Sequence, residues 1–184
     1  LRINGCDAGS LTGSLWHKTA HSASLHTAIW NSCACGKGDM SALFANCPQL
    51  RSFSWTSAGG NECMLVDNLS WVTRLINLSL YVNETVTDAV VSIIATNLTS
   101  LRTLNIQSCD NLSDVTLLHL AMHLGDTLEV LYVDIKNPES KETEEVLQTF
   151  SQKCTKLRYL SVNCGDKMLC TCVLYLPSIS SAPN

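Results

Sequence analysis

The ten cysteines are the first residues to consider for chemistry, since thiolates bind zinc, form disulfides and act as nucleophiles. Structural zinc sites usually take ligand pairs that are separated by two to four residues. The two close pairs in this sequence, Cys33 with Cys35 and Cys170 with Cys172, have a single residue between them. The spacing therefore does not favour zinc, and we expect reduced thiols with structural roles.

Two histidine pairs have the four-residue spacing that can place two metal ligands on one face of a helix. A zinc protease helix carries glutamate directly after its first histidine, but Leu120 follows His119 in the pair His119 and His123. The second pair, His17 and His21, has no carboxylate between its members. We expect all four histidines to lie on the surface without a metal.

Other catalytic patterns are equally weak. The segment Gly36-Lys37-Gly38 lacks the surrounding spacing of a phosphate-binding loop. Spacing alone suggests no combination of nucleophile, base and orienting group. The sequence therefore predicts a protein that is not an enzyme and that binds no cofactor.

Composition narrows the classes of partner. The 184 residues suffice for one domain, and 46% apolar against 15% charged residues argues against disorder. A net charge of −4 predicts no field that attracts nucleic acid. The longest apolar run, residues 168–176, is far shorter than the roughly 20 residues of a membrane helix. We expect neither nucleic acid nor membrane as a partner, and we expect a fragment of a longer protein, because the chain begins at Leu1 in strand-like sequence.

A repeat organises most of the chain. A leucine followed by apolar residues three and five places later recurs at intervals of 25 to 29 residues. The six starts are Leu25, Leu50, Leu75, Leu101, Leu128 and Leu157. Leu1, Ile3 and Cys6 form the second half of a truncated unit. The expected organisation is a repeat domain over residues 1–165, followed by a degenerate repeat or C-terminal tail over residues 166–184.

The position eight residues after each start has its own pattern. It carries a small side chain with hydrogen-bonding capacity at Cys6, Cys33, Asn83 and Cys109. It departs from this pattern at Ala58, Lys136 and Gly165. Such a side chain can satisfy backbone groups where the chain turns away from a strand, which predicts a turn at this point of each unit.

The second half of several units has helical spacing. The predicted buried positions are Val91, Ile94, Ala95 and Leu98 in one unit, Leu117, Leu120, Ala121 and Leu124 in the next, and Val146, Leu147 and Phe150 in a third. Thr87 with Asp88, Ser113 with Asp114, and Ser140 are typical of helix starts. An earlier helix is expected around Met40, Leu43 and Phe44, ending near Cys47. Strand and helix in alternation predict an α/β, right-handed solenoid with parallel strands on its concave face and helices on its convex face.

The unit that runs from Cys109 through Leu112 and Asp114 resembles the cysteine-containing class of leucine-rich repeat. Cys47 and Cys154, each three places before a leucine start, fit the same class. The resemblance covers roughly residues 1–165 and extends to the repeat region of F-box/leucine-rich-repeat proteins, which are substrate receptors of ubiquitin ligases. It implies a horseshoe-shaped repeat domain that binds a protein substrate. A SKP-type adaptor is implied only if an F-box lies upstream, since none is visible in this sequence.

The side chains that alternate with the leucines should face the open, concave surface. They form a polar and nearly uncharged stripe that contains Tyr81, Tyr132 and Tyr159, which we expect to anchor a protein or peptide. The candidate partner-binding residues are Asn77, Tyr81, Thr103, Asn105, Gln107, Tyr132, Asp134, Tyr159, Ser161 and Asn163.

The sequence therefore predicts a non-catalytic protein-binding module, and the resemblance implies that it forms the substrate-recognition repeats of an F-box-type receptor. A repeat scaffold without a ligase link is the first alternative. An extracellular receptor ectodomain is the second, because Asn-x-Ser/Thr sites occur at Asn68, Asn77, Asn83, Asn97 and Asn111. The cysteine-type repeat favours an intracellular protein, cytoplasmic or nuclear.

Overall fold

The structure, a computed structural model, describes residues 2–4, 24–31, 37–56, 66–81, 85–135, 143–163 and 172–175. Its strands are β1 (Arg2–Asn4), β2 (Thr27–Asn31), β3 (Ser52–Thr56), β4 (Asn77–Tyr81), β5 (Thr103–Ile106), β6 (Val130–Asp134), β7 (Tyr159–Asn163) and β8 (Cys172–Tyr175). Its helices are α1 (Lys37–Asn46), α2 (Asp88–Asn97), α3 (Val115–Leu124) and α4 (Thr143–Lys153), and a 3₁₀ helix (Val66–Trp71) lies between β3 and β4.

The eight strands form one sheet in which the spatial order is the order along the chain. Strands β1 to β7 are parallel, and a helix lies between successive strands from β2 to β7, so the fold is α/β. Strand β8, in the segment expected to be a degenerate repeat or a tail, pairs antiparallel with β7. The last strand therefore departs from the repeating pattern.

The strand register aligns equivalent positions of successive units. Phe53, Leu78, Leu104, Leu131 and Leu160 pair in one continuous row across β3 to β7. These residues and the other apolar repeat positions from Leu25 to Val162 are buried, except for Leu25, which is partly buried. Because the helices contribute to the same buried cluster, the sheet packs on them through its leucine face. The register predicted from the sequence is confirmed.

A backbone hydrogen-bond ladder fixes the entry to each strand. The carbonyl of Arg51 accepts from the amides of Ile76 and Asn77 at 2.8 and 2.9 Å. The carbonyl of Arg102 in turn accepts from Glu129 and Val130 at 2.8 and 2.9 Å. The same double acceptance occurs at the carbonyls of His26, Ile76 and Glu129. These backbone hydrogen bonds alone thus align the strand of each unit with the strand of the next unit.

The helices begin and bury their faces largely as their sequences predict. The Thr87 side chain accepts from the amide of Val90 at 3.4 Å and caps α2. At α3 the cap residue Asp114 makes no capping bond with its side chain, and the Ser113 hydroxyl accepts from the amide of Val115 at 3.2 Å instead. The predicted apolar positions of α2 and α3 are all buried.

The first and last helices agree with the sequence where they are described. In α1, Leu43 and Phe44 are buried, and the helix ends directly before Cys47. In α4, Val146 and Phe150 are buried, whereas Leu147 is only partly buried. The predicted start of α4 at Ser140 lies outside the described residues.

Adjacent helices are linked by specific contacts. The Asp88 carboxylate, in the first turn of α2, accepts from the Ser113 amide at 3.0 Å, from the Ser113 hydroxyl at 2.7 Å and from the Thr116 hydroxyl. At the other end of α3, a Cβ on Gly125 would lie 2.8 Å from the carbonyl oxygen of Lys153. Gly125 therefore permits the close approach of α3 to the end of α4.

Two neighbouring residues of β5 test the register. Leu104 is fully buried, whereas Thr103 lies half-exposed on the opposite face. Replacing Leu104 with Ala should lower the free energy of unfolding by about 2–5 kcal/mol, because the substitution leaves a cavity. Replacing Thr103 with Ala should change it by only about 0.5 kcal/mol. Urea denaturation followed by circular dichroism measures both, and equal losses would contradict the assigned register.

Candidate functional site

The candidate site is the face of the sheet opposite the leucines, and the register arranges its side chains in rows. Asn77, Thr103, Val130 and Tyr159 form the first row. Ser79, Asn105, Tyr132 and Ser161 form the second. Asp134 pairs with Asn163 at the ends of β6 and β7, while Tyr81 ends β4 and Gln107 directly follows β5. The structure therefore brings the ten predicted residues onto one surface, which we call the polar face.

Two of the predicted anchor tyrosines form an aromatic pair. The rings of Tyr132 and Tyr159 have centroids 4.8 Å apart and planes inclined by 40°. Tyr159 lies one strand away from Tyr132 and one row below it, a diagonal arrangement that long side chains can bridge. Both residues are half-exposed. The pair presents a preformed aromatic surface, and a contact of this kind adds about 0.5–1.5 kcal/mol to the packing of the two rings.

The third tyrosine is held by a neighbouring strand. The side-chain amide nitrogen of Asn105 donates to the Tyr81 hydroxyl oxygen at 2.8 Å. The side-chain oxygen of Asn105 accepts from the backbone amide of Gln107 at 3.2 Å. Asn105 is only 7% exposed. Its side chain, which the sequence predicts to contact a partner, is hydrogen-bonded to Tyr81 and to the backbone of the turn after β5.

Asp134 also has a structural partner. Its carboxylate accepts from the amide of Ser108 at 2.8 Å. Ser108 has a φ of 57°, a left-handed conformation that costs energy for a residue other than glycine. The carboxylate of one unit thus stabilises a strained turn of the preceding unit, immediately beside Gln107 on the polar face.

The buried thiol of Cys109 has a structural role in the repeat. The Cys109 thiol lies 3.6 Å from the carbonyl oxygen of Leu80 and 3.7 Å from that of Gln107, close enough to donate to either. This confirms, at Cys109, the predicted role of the position eight residues after the leucine. The equivalent residues of the other units, at Cys6, Cys33, Ala58, Asn83, Lys136 and Gly165, lie outside the described residues.

Burial also suppresses thiol reactivity. Desolvation, with a smaller contribution from the carboxylate of Asp126, raises the pKa of Cys154 to about 12. The thiol therefore stays protonated at neutral pH and is a poor nucleophile. Cys47 and Cys109 are likewise buried and unbridged.

The metal-like patterns do not converge in the part of the chain that the structure describes. Within it, no three side chains of His, Cys, Asp or Glu lie close enough together to hold a metal ion. His119 is half-exposed and His123 exposed on α3, as predicted. The pairs His17 with His21, Cys33 with Cys35 and Cys170 with Cys172 are not described in full.

The structure also bears on the membrane prediction and on the candidate glycosylation sites. No helix among the described residues has both the length and the hydrophobicity required to cross a bilayer. Asn68, one of the five candidate glycosylation sites, is 4% exposed, and its side-chain oxygen accepts from the Ser41 hydroxyl at 2.7 Å. Asn77, Asn97 and Asn111 are exposed, and Asn83 lies outside the described residues.

Sequence reasoning missed a second surface, at the edge of the sheet where the strands begin. An open groove of about 650 Å³ lies there, and its charged lining residues are Arg51, Arg74, Arg102, Glu129 and Lys156. We call it the basic groove. In the sequence, successive members of this set are 23 to 28 positions apart, so no local charge cluster reveals them.

Comparison of the chain with protein-family models and with curated proteins gives no match.

The hydrogen bond between Asn105 and Tyr81 can be measured by a double-mutant cycle. Asn105→Ala should destabilise the protein by about 1–2 kcal/mol, because a buried amide and its bonds are lost. The Asn105→Ala and Tyr81→Phe changes should be coupled by about 1 kcal/mol, since either one removes the same hydrogen bond. A control cycle of Tyr81→Phe with Ser79→Ala should show no coupling. Strictly additive effects of the first pair in urea denaturation would contradict the assigned contact.

Proposed function

We propose that this chain is a non-catalytic protein-binding module, built as a right-handed solenoid of leucine-rich repeats. The polar face is then its concave surface, and the helices form its convex side. The in-order parallel sheet and the continuous row of buried leucines support this architecture. In such a fold each unit buries its apolar face against its neighbours, which leaves the alternate side chains of the strands available for binding.

The observation that carries the binding function is the preformed pair of Tyr132 and Tyr159 on the polar face. Tyrosine offers a large contact area with a polar tip and loses little conformational entropy on binding. The two rings already support each other, so part of the cost of ordering them is met before a partner arrives. They form the centre of the proposed contact.

The other predicted residues divide into two groups in this proposal. Tyr81, Thr103 and Gln107 are half-exposed and supply further direct contacts. Asn105 and Asp134 act indirectly, because their side chains hold Tyr81 and the Ser108 turn in place. Asn77 and Asn163 are exposed, Ser161 is half-exposed, and all three complete the polar surroundings of the aromatic pair.

We further propose that the partner is the substrate of a ubiquitin ligase, and that the chain supplies the substrate-recognition repeats of an F-box-type receptor. This step rests on the resemblance of the units around Cys47, Cys109 and Cys154 to the cysteine-containing repeat class. The three buried, unbridged thiols suit a reducing, intracellular compartment. Recruitment of a SKP-type adaptor requires an F-box elsewhere in the protein.

Partner capture tests the binding function. The double variant Tyr132→Ala/Tyr159→Ala should no longer capture the proteins that the wild-type chain captures. For an identified partner, its affinity should fall by about thirtyfold or more, which is the effect of losing one interface hot spot. A matched control, Ile93→Ala/Met122→Ala, also removes two large exposed side chains, but from the helices. Calorimetry with the purified partner measures both.

The binding surface and the ligase link are tested by different outcomes. Loss of binding in the helix control, with retention in the tyrosine variant, would contradict the assigned surface. Co-purification of a SKP-type adaptor with the full-length protein tests the ligase link separately. Partner binding without that adaptor would favour an interaction scaffold.

A further inference from the structure

The basic groove gathers positive charge in a chain whose overall charge is negative. Four cations and one carboxylate line it, and the four cations are exposed. The charge of the whole chain, by contrast, is −4. Four of the chain's 12 lysines and arginines therefore lie around one groove, which makes it a local attractor for anions.

The backbone ladder places three of the charged residues at equivalent positions of their units. Arg51, Arg102 and Glu129 each precede a strand, and their carbonyls are the acceptors of the double hydrogen bonds between units. Because neighbouring strands are about 4.8 Å apart, the groove from the β3 unit to the β7 unit, which supplies Lys156, spans about 19 Å. An extended peptide of about five or six residues covers the same length.

Two of the guanidinium groups are also oriented by neighbours. Arg102 donates to the Glu129 carboxylate at 3.0 Å, and Arg74 donates to the Gln49 side-chain oxygen at 3.5 Å. The ion pair lies at the surface and contributes little to stability. Its main effect is to hold Arg102 beside the groove, with further donor capacity left on its guanidinium group.

We propose that the basic groove binds an acidic peptide segment of a partner protein, independently of the polar face. Arginine binds carboxylates through paired hydrogen bonds, and the Thr99 and Ser100 hydroxyls of the lining add neutral donors. Ile76 offers an apolar contact that suits a peptide with mixed side chains. The groove thus gives a partner a second point of attachment at the edge of the sheet.

Nucleic acid is a poorer fit to the same groove. Among the residues that the structure describes, none of those lining the groove has an aromatic side chain on which bases could stack. The Glu129 carboxylate lies among the cations and would repel a continuous row of phosphates. An acidic peptide avoids this repulsion, since a neutral or apolar residue can lie opposite Glu129.

Fluorescence anisotropy with the fluorescein-labelled acidic peptide Glu-Glu-Ser-Glu-Glu-Ser and the full 184-residue chain tests the proposal at about 0.15 M salt, where the Debye length is about 8 Å. Lys156→Ser and Arg51→Ser should each weaken binding by about threefold to tenfold, the effect of one rim charge. Lys153→Ser is the matched control, because Lys153 is also exposed, lies only three residues from Lys156 and does not line the groove. It should change the affinity by less than about twofold.

A variant that binds the acidic peptide more tightly tests the groove more sharply than one that binds it less tightly. Glu129→Gln should strengthen peptide binding, because it removes the one carboxylate of the groove while its amide oxygen can still accept from Arg102. Equal effects of Lys153→Ser and Lys156→Ser, or weaker binding by Glu129→Gln, would overturn the proposal. Tighter binding of a thymidine oligonucleotide than of the acidic peptide would assign the groove to nucleic acid and overturn it as well. Circular dichroism confirms that each variant is folded.

Discussion

The fold depends on the double hydrogen bond by which the carbonyl before one strand receives two amides of the next unit. This contact recurs from the unit of β2 to that of β7. It sets the register in which each buried leucine of one strand pairs with the equivalent residue of the next strand. Since side chains alternate along a strand, this register also determines which residues face away from the helices. Burial of the leucines and exposure of the polar face are therefore two consequences of one constraint.

Side chains then connect the units across the same spacing. Asn105 binds Tyr81 of the preceding unit, Asp134 holds the turn at Ser108, and Asp88 joins the start of α2 to the start of α3. Each bond links residues 24 to 26 positions apart, which is one repeat. Such links order the surface before a partner binds, and preorganisation of this kind lowers the entropic cost of association.

The sequence predicts the parts of the molecule that depend on periodicity. The leucine register, the buried faces of α2 and α3 and the cap at Thr87 follow from spacing and residue type within one unit. Contacts between units are not visible in this way. The burial of Asn105 requires knowledge of Tyr81 on the adjacent strand, and the basic groove forms only when Arg51, Arg74 and Arg102 are stacked. The reversed direction of β8 likewise depends on pairing with β7, which carries no local signal.

The central claim is that one register buries the leucines and presents the tyrosines. Hydroxyl-radical footprinting of the native chain, read by mass spectrometry and normalised for each residue to the urea-unfolded chain, tests it most directly. The account predicts strong protection of Leu104, Leu131 and Leu160, each at most 4% exposed, and weak protection of the half-exposed Tyr132 and Tyr159. Leucines that are modified as readily as in the unfolded chain, while the tyrosines are protected, would contradict it.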